Sequence, residues 1–268
     1  MASGKRPLIL VTCDDGIESL GLRAAVRAVL PLGEVMISAP REQQTGTGRS
    51  LPNFDGAIHE LEYRVDSQQV PAYTLYGSPA QAVLYGLIEL VPRKPALCIS
   101  GINFGENVGT GVTASGTVGA ALEAADEGVP ALAVSLETEK RFHYRHSEEV
   151  DFSAATYFTH DFAERMLSHH MPVDVDLLKL DVPSDATPET PWRVTRLARQ
   201  RYFRALPSGR RELGEKRRLG YDMVIDHATL ELDSDIRAVL VDRVVSVTPL
   251  SLDLTSRVAF RELDKLLR

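Results

Sequence analysis

Two aspartates, Asp14 and Asp15, stand side by side in "ILVTCDDGIESLG" (9–21), directly after an apolar run. Adjacent carboxylates repel, and taking either out of water is costly. The pair must face solvent or be neutralised by a cation. Mg²⁺ and Mn²⁺ bind through one or two carboxylates plus neutral oxygens and waters, so the pair is a candidate metal site. A turn with an N-cap aspartate accounts for one acid more readily than for two. Gly16 follows two places after Asp14, so the Asp-x-Asp spacing of an aspartyl-phosphate nucleophile is missing.

A second polar stretch, "SGINFGENVGTGVTASGTVG" (100–119), is rich in glycine. Glycine lets backbone amides come close to a ligand. Ser115-Gly116-Thr117 opens a helix, and the amides and dipole of a helix start favour an anion such as phosphate. The loop "REQQTGTGRS" (41–50) supplies hydroxyls and amides but has neither P-loop nor dinucleotide-binding spacing. The histidines (His59, His143, His146, His160, His227 and the pair His169-His170) are scattered, and no HExxH or CxxC spacing calls for zinc.

The elements that must hold these residues follow from periodicity. "LILVT" (8–12), "EVMISAP" (34–40), "ALCISGIN" (96–103), "ALAVSL" (131–136) and "LLKLDVP" (177–183) are apolar runs suited to buried parallel strands. Between them lie helical patterns. In 21–30 the stripe is Leu22, Ala25, Val26, Val29 and Leu30, stopped by Pro31. After 78, Ser78 and Gln81 form a capping box with Pro79 at the first position. In 115–128 the stripe is Val118, Ala121, Leu122 and Ala125, stopped by Gly128, and 151–169 is amphipathic. Alternation of this kind predicts an α/β fold, a doubly wound, mostly parallel sheet with helices on both faces. Ligands then bind at the carboxyl ends of the strands, where Cys13–Gly16, the 41–50 loop and Ser100–Thr117 all fall. Residues 238–255 read as a returning strand.

The whole chain has 268 residues, 44% hydrophobic and 25% charged, with a formal net charge of −7. That balance disfavours a nucleic-acid-binding surface. Residues 196–218 carry nine Lys/Arg; lacking aromatic interleaving for base stacking, the run reads as a solvated arm. No apolar run reaches about 18 residues, so no membrane span is expected. No targeting segment is expected either, since the first apolar run is too short. Cys13 and Cys98 read as buried free thiols in a reducing cytoplasm.

Taken together, the motifs resemble the SurE family of stationary-phase survival nucleotidases. The family's "ILVTNDDGI" appears as "ILVTCDDGI", its "AP…Q-S-G/A…S-L" as "APREQQTGTGRSL", and its "GTPADCV" as "GSPAQAV". Its "SGIN-G-N-G…SGTV-AA-EG" appears as "SGINFGENVGTGVTASGTVGAALEAADEG", and its "SITPL-DLT" as "SVTPLSLDLT". The order is kept over almost the whole chain, most weakly in 137–235. The resemblance implies a divalent-metal-dependent phosphomonoesterase acting on nucleoside monophosphates, with one Mg²⁺ or Mn²⁺ per subunit. It implies Asp14, Asp15, Thr45 and Asn103 as metal ligands, with Asp14, Asp15 and Asn103 catalytic. Gly46, Asn107, Ser115, Gly116 and Thr117 are implied as phosphate-handling positions. Asp15 is the expected acceptor of the attacking water's proton. The resemblance also implies a Rossmann-like core over 1–195, an extended arm or hairpin over 196–235 that makes dimers or tetramers, and a strand and terminal helix over 236–268. Cys13 stands where the family has Asn, Thr45 where it has Ser, and Gln81 where it has Asp. Arg41-Glu42 reverses its usual acidic-then-basic order. An alternative on the same fold is a nucleotide-binding or regulatory protein with catalysis weakened through Cys13 and its neighbours.

Overall fold

The computed structural model describes residues 5–53, 56–144, 147–207, 209–210, 212–217 and 219–268. His146 and the basic-run residues Arg211 and Arg218 lie outside these.

The first strand, β1 (Leu8–Thr12), is buried at all five positions, and its side chains alternate between two cores. Ile9 and Val11 pack on one side of the sheet, Leu8 and Leu10 on the other. Around it lie β2 (Glu34–Pro40), β3 (Ile58–Val65), β4 (Gln68–Leu75), β5 (Leu97–Phe104), β6 (Ala131–Leu136), β7 (Leu177–Val182) and β8 (Trp192–Val194). With β11 (Val245–Leu250) they make a nine-stranded sheet in the order β3-β4-β2-β1-β5-β6-β7-β11-β8. All neighbours are parallel except β3 with β4 and β11 with β7. A separate hairpin pairs β9 (Phe203–Leu206) with β10 (Gly220–Met223).

Helices cover both faces, as the alternating pattern predicts. On one side lie α1 (Leu20–Val29) and α4 (Ser153–Ser168), with Leu22, Val26, Phe158 and Phe162 in the core. On the other lie α2 (Pro79–Tyr85) and α3 (Gly116–Asp126), with Val83, Val118 and Ala121. The capping box forms: Ser78 Oγ accepts from Gln81 N, and Gln81 Oε1 accepts from Ser78 N. Gln81 Nε2 also donates to Pro52 O at 2.6 Å, tying the polar loop after β2 to α2.

Four local expectations change. Strand β4 ends in the stretch "AYTL" that reads as a strand, but its partner β3 at the sheet edge carries no clear sequence signal, because half of its positions are exposed and "IHELEYRV" shows no apolar run. In α3 the buried set is Thr117, Val118, Ala120, Ala121, Glu123 and Ala124, while Leu122 and Ala125 are half-buried. The helix is covered on a second side: a Cβ on Gly119 would lie 2.4 Å from Gly48, and Arg49 Nε meets Glu123 Oε2 at 2.7 Å. Only residues 245–250 of the 238–255 stretch form a strand; Arg237–Val241 is a short π-type turn. Finally, the basic stretch packs onto the protein through Ala198, Tyr202, Leu230 and Ile236, which cluster with Val108.

Candidate metal and phosphate site

Strand order decides where the polar motifs meet. From β1 the chain runs to β2 on one side, and later to β5 on the other. The carboxyl ends of β1 and β5 therefore flank a switch point, the place where open parallel sheets hold ligands. Cys13, Asp14 and Asp15 follow β1, Asn103 closes β5, Thr45 and Gly46 come from the loop after β2, and Ser115-Gly116 begin α3. One cavity of about 310 Å³ is lined by Asp14, Thr45, Gly46, Asn103, Asn107, Ser115 and Gly116 together.

The acids are buried. Asp14 is 3% and Asp15 1% exposed. Asp14 Oδ1 accepts from Thr117 Oγ1 at 2.7 Å. Asp15 Oδ2 accepts from Phe104 N at 2.9 Å, and Asp15 Oδ1 from Gln43 Nε2 at 2.8 Å. Burial, and then the charge of Asp15, push the Asp14 carboxyl up to about 7; burial pushes Asp15 up to about 6. Among the described residues no Lys or Arg pairs with Asp14. Gly116 is required where it stands: a Cβ there would meet Asp14 Cβ at 2.8 Å and Oδ2 at 2.9 Å. The amino end of α3 thus abuts the carboxylate it shares the cavity with.

Ligand-forming atoms of Cys13, Asp14 and Asp15 all lie within 4.8 Å of one another. The donor set fits a hard divalent cation through its oxygens. Cys13 contributes less. Its thiol is fully buried, burial drives it far above its ordinary range, and it remains protonated at neutral pH. Its partners are Ser19 Oγ and Ile102 O at 3.9 Å and Asp15 Oδ2 at 4.0 Å. Cys13 is absent from the cavity wall, so the thiol supports Asp15 from behind and does not face a ligand. Asn103 Nδ2 donates to Gly105 O at 2.6 Å, which frees Oδ1 as a neutral oxygen donor.

The expected site residues fall into two layers. Asp14, Thr45, Gly46, Asn103, Asn107, Ser115 and Gly116 reach the cavity; Asp15 and Thr117 sit behind it. Thr117 orients Asp14, Asp15 has both oxygens engaged, and Asp14 is the carboxylate on the cavity wall. Ser115 Oγ caps α3 by accepting from Val118 N at 3.1 Å. Asn107 is held from three sides. Its Nδ2 donates to Ser135 Oγ at 2.8 Å and to Thr117 Oγ1 at 3.4 Å, and its backbone N donates to Asp181 Oδ1 at 2.8 Å. Behind it, fully buried Lys179 bonds Asp181 Oδ2, and meets Asp235 Oδ2 at 3.2 Å; Asp235 in turn accepts from Gly109 N at 3.0 Å. The glycine-rich loop therefore rests on a buried cluster in which Lys179 bridges two aspartates.

Sequence reasoning missed the far wall. His143, Tyr144, Phe203 and Tyr221 line the same cavity, the last two from the hairpin. Phe203 and Tyr221 are separated by 17 residues of basic and polar chain, and only the β9–β10 register brings Met223 opposite Phe203 and Tyr221 opposite Ala205. The expectation of a solvated arm without stacking aromatics is overturned here. His143 is no proton shuttle, since Nδ1 meets Tyr221 Oη at 2.8 Å, Nε2 meets Thr138 O at 3.3 Å, and burial lowers its pKa. Glu106, also missed, is 2% exposed; burial pushes it up to about 7, and the Tyr202 hydroxyl bonds it.

Comparison with known proteins decides the family. The description "Survival protein SurE" matches residues 9–204. The chain belongs to the SurE family. It is 41% identical to the 5'-nucleotidase SurE of Methanothrix thermoacetophila over 265 residues (97% of this chain, 98% of that protein). It is 40% identical to that of Thermococcus kodakarensis over 261 residues, with the same coverage. The crystal structure of the SurE protein from Aquifex aeolicus superposes with a TM-score of 0.76 at 30% identity, covering 98% of this chain and all of that one. The fold is thus the α/β, mostly parallel SurE fold. Among the described residues no helix is long and apolar enough to cross a membrane.

Proposed function

We propose that this SurE-family chain is a divalent-metal-dependent phosphomonoesterase acting on nucleoside monophosphates. One observation carries the reading: buried Asp14, which pairs with no Lys or Arg among the described residues, shares one cavity with the amino end of α3, with buried Asp15 next to it. Asp14, Asp15, Thr45 and Asn103 would hold one Mg²⁺ or Mn²⁺, since the set is made of hard oxygens. When bound, such an ion polarises a phosphate oxygen and lowers the pKa of a water.

The chain's own residues do the remaining work. Ser115, Gly116 and Gly46 present backbone at the cavity, and the dipole of α3 favours the charged phosphoryl group over neutral product. Gly46, on the cavity wall, has φ 82° and open space where a Cβ would stand. Thr117 and Gln43 fix the rotamers of Asp14 and Asp15, and the Lys179 triad fixes Asn107. Asp14, the carboxylate on the cavity wall, is the group we propose as the proton acceptor for the attacking water in place of Asp15.

A metal-by-substrate panel tests the proposal. Hydrolysis of nucleoside monophosphates should require Mg²⁺ or Mn²⁺, vanish in EDTA, and return on adding back the metal. Equal turnover with and without EDTA would overturn it.

We also propose self-association. Helix α5 (Phe260–Leu267) buries nothing, and Leu254, Phe260, Leu266 and Leu267 are strongly exposed. Eight residues do not hold a helix in water unaided. A second copy covering this face would give a dimer or tetramer, and Phe260→Glu should then lower the mass measured by light scattering. We propose the division into a core over 1–195, an arm over 196–235 and a C-terminal strand and helix over 236–268, the arm carrying the separate β9–β10 hairpin. The two free, buried cysteines fit a cytoplasmic location.

A further inference from the structure

The loop that brings Thr45 and Gly46 to the cavity is fastened at both ends, and the two fastenings differ. At its start it is tied to the acid pair: Gln44 N donates to Asp14 O at 2.7 Å, and Gln43 Nε2 to Asp15 Oδ1 at 2.8 Å. Thr47 N and Oγ1 both donate to Gln44 O, at 3.3 and 2.8 Å, which closes a short turn over residues 44–47. Past that turn the loop leaves the cavity and lies along α3. Gly48 N donates to Ala114 O at 3.0 Å, just ahead of the helix. Gly119, Glu123 and Asp126 follow at i, i+4 and i+7 and so share one helix face. The backbone of Gly48 lies so close to Gly119 that no Cβ fits there. Arg49 extends along the same face, its Nε donating to Glu123 Oε2 at 2.7 Å and its Nη2 to Asp126 Oδ2.

Arg49 does not line the cavity. Its guanidinium joins two carboxylates of one helix, and Glu123 is only 3% exposed. A planar fork can bond both at once, which a single ammonium cannot do as well. Exposed ion pairs contribute little, but a buried carboxylate depends on its partner. The same helix begins at Ser115-Gly116, on the cavity wall. One rigid element thus carries the anion end at its start and, two turns on, the anchor of the loop that holds Thr45.

We propose that Arg49 is a positioning residue for the divalent cation: its clamp on Glu123 and Asp126 holds the Thr45-Gly46 turn at the cavity, so that the loop's oxygen closes the metal site. This inference rests on the metal-dependent reading above. Without the clamp the turn keeps only its upstream ties to Asp14 and Asp15, and metal binding must order it, which weakens affinity.

Mn²⁺ titration followed by the electron paramagnetic resonance signal of the free ion reads affinity without turnover. Arg49→Met keeps an apolar stem on the helix face and removes the fork. Affinity should fall about 10-fold or more, the lower end of what an outer partner of a metal ligand costs. Arg49→Lys should fall between Arg49→Met and the wild type. Asp126→Asn, at the exposed arm of the fork, should change affinity by less than about threefold. In hydrolysis assays Arg49→Met should raise the Mn²⁺ concentration needed for half-activity by the same factor as the affinity loss, with kcat at saturating Mn²⁺ within about threefold of the wild type. A merely structural role would lower kcat, and added metal would not restore it. Exchange of the Gly48 N–H should quicken about 10-fold in Arg49→Met while exchange within α3 stays unchanged. Unchanged Mn²⁺ affinity in Arg49→Met overturns the proposal and leaves the metal reading intact, as does a kcat that saturating metal fails to restore. Absence of Mn²⁺ binding to the wild type overturns the metal reading. The clamp itself is then decided by Gly48 exchange: quickened exchange keeps it, and unchanged exchange overturns it.

Discussion

Two clusters of buried carboxylates lie at the same cavity, and they are built differently. Asp181 and Asp235 enclose Lys179, with all three side chains fully buried and the carboxylates also accepting backbone N–H groups. Asp14 and Asp15 are buried to almost the same degree, but a threonine hydroxyl, a glutamine amide and a backbone amide supply their hydrogen bonds. The first cluster carries its own cation and is finished when the chain folds. In the second, burial raises both acids toward neutrality, and among the described residues no Lys or Arg pairs with Asp14.

The largest expected effect breaks this contrast at the second cluster. Asp14→Asn should lower metal-dependent phosphatase activity by about 10³-fold or more while the protein still melts cooperatively, since the substitution removes a buried like-charge repulsion. Lys179→Met attacks the first cluster. It leaves two buried acids without their cation and should lower unfolding stability by about 3–5 kcal/mol in urea titrations.

Metal should then separate the clusters thermodynamically. Mn²⁺ at a hundred times its dissociation constant should stabilise the wild type by about 2.7 kcal/mol, seen as a raised melting temperature, and should leave Asp14→Asn nearly unmoved. The pH dependence has a definite sign. Asp14 and Asp15 titrate near 7 and 6 in the fold, against 3.8 for an unperturbed aspartate. Between about pH 4 and 7 the native state therefore binds more protons than the unfolded chain, and stability in EDTA falls as pH rises through that window. Asp14→Asn should flatten the slope measured by melting at pH 5 and pH 7.5. The smallest effect belongs to Cys13→Asn: with the side chain behind Asp15 and off the cavity wall, turnover should change by less than about threefold.

The parallel-sheet core was legible because buried strands and capped helices leave strong local patterns. "LILVT", "EVMISAP" and "ALAVSL" coincide with strands, and Ser78-Pro79-x-Gln81 starts its helix as written. Patterns failed where burial depended on a distant partner. The α3 stripe shifted because Gly48 and Arg49 cover a second face of the helix. Asp14-Asp15, Asn103 and Ser115-Gly116 stood out as unusual residues at the ends of strong elements. His143, Phe203 and Tyr221 sat in weakly patterned chain.

What the sequence determined by itself was the acid pair, the helix start and the strand ends that carry them, because charge adjacency, caps and apolar runs act over a few residues. What only the tertiary structure decided was which acids face the cavity, which enclose Lys179, and which aromatics line the same cavity. Those outcomes depend on strand order and hairpin register, and such long-range packing sets burial and dielectric environment without leaving a local trace in the chain.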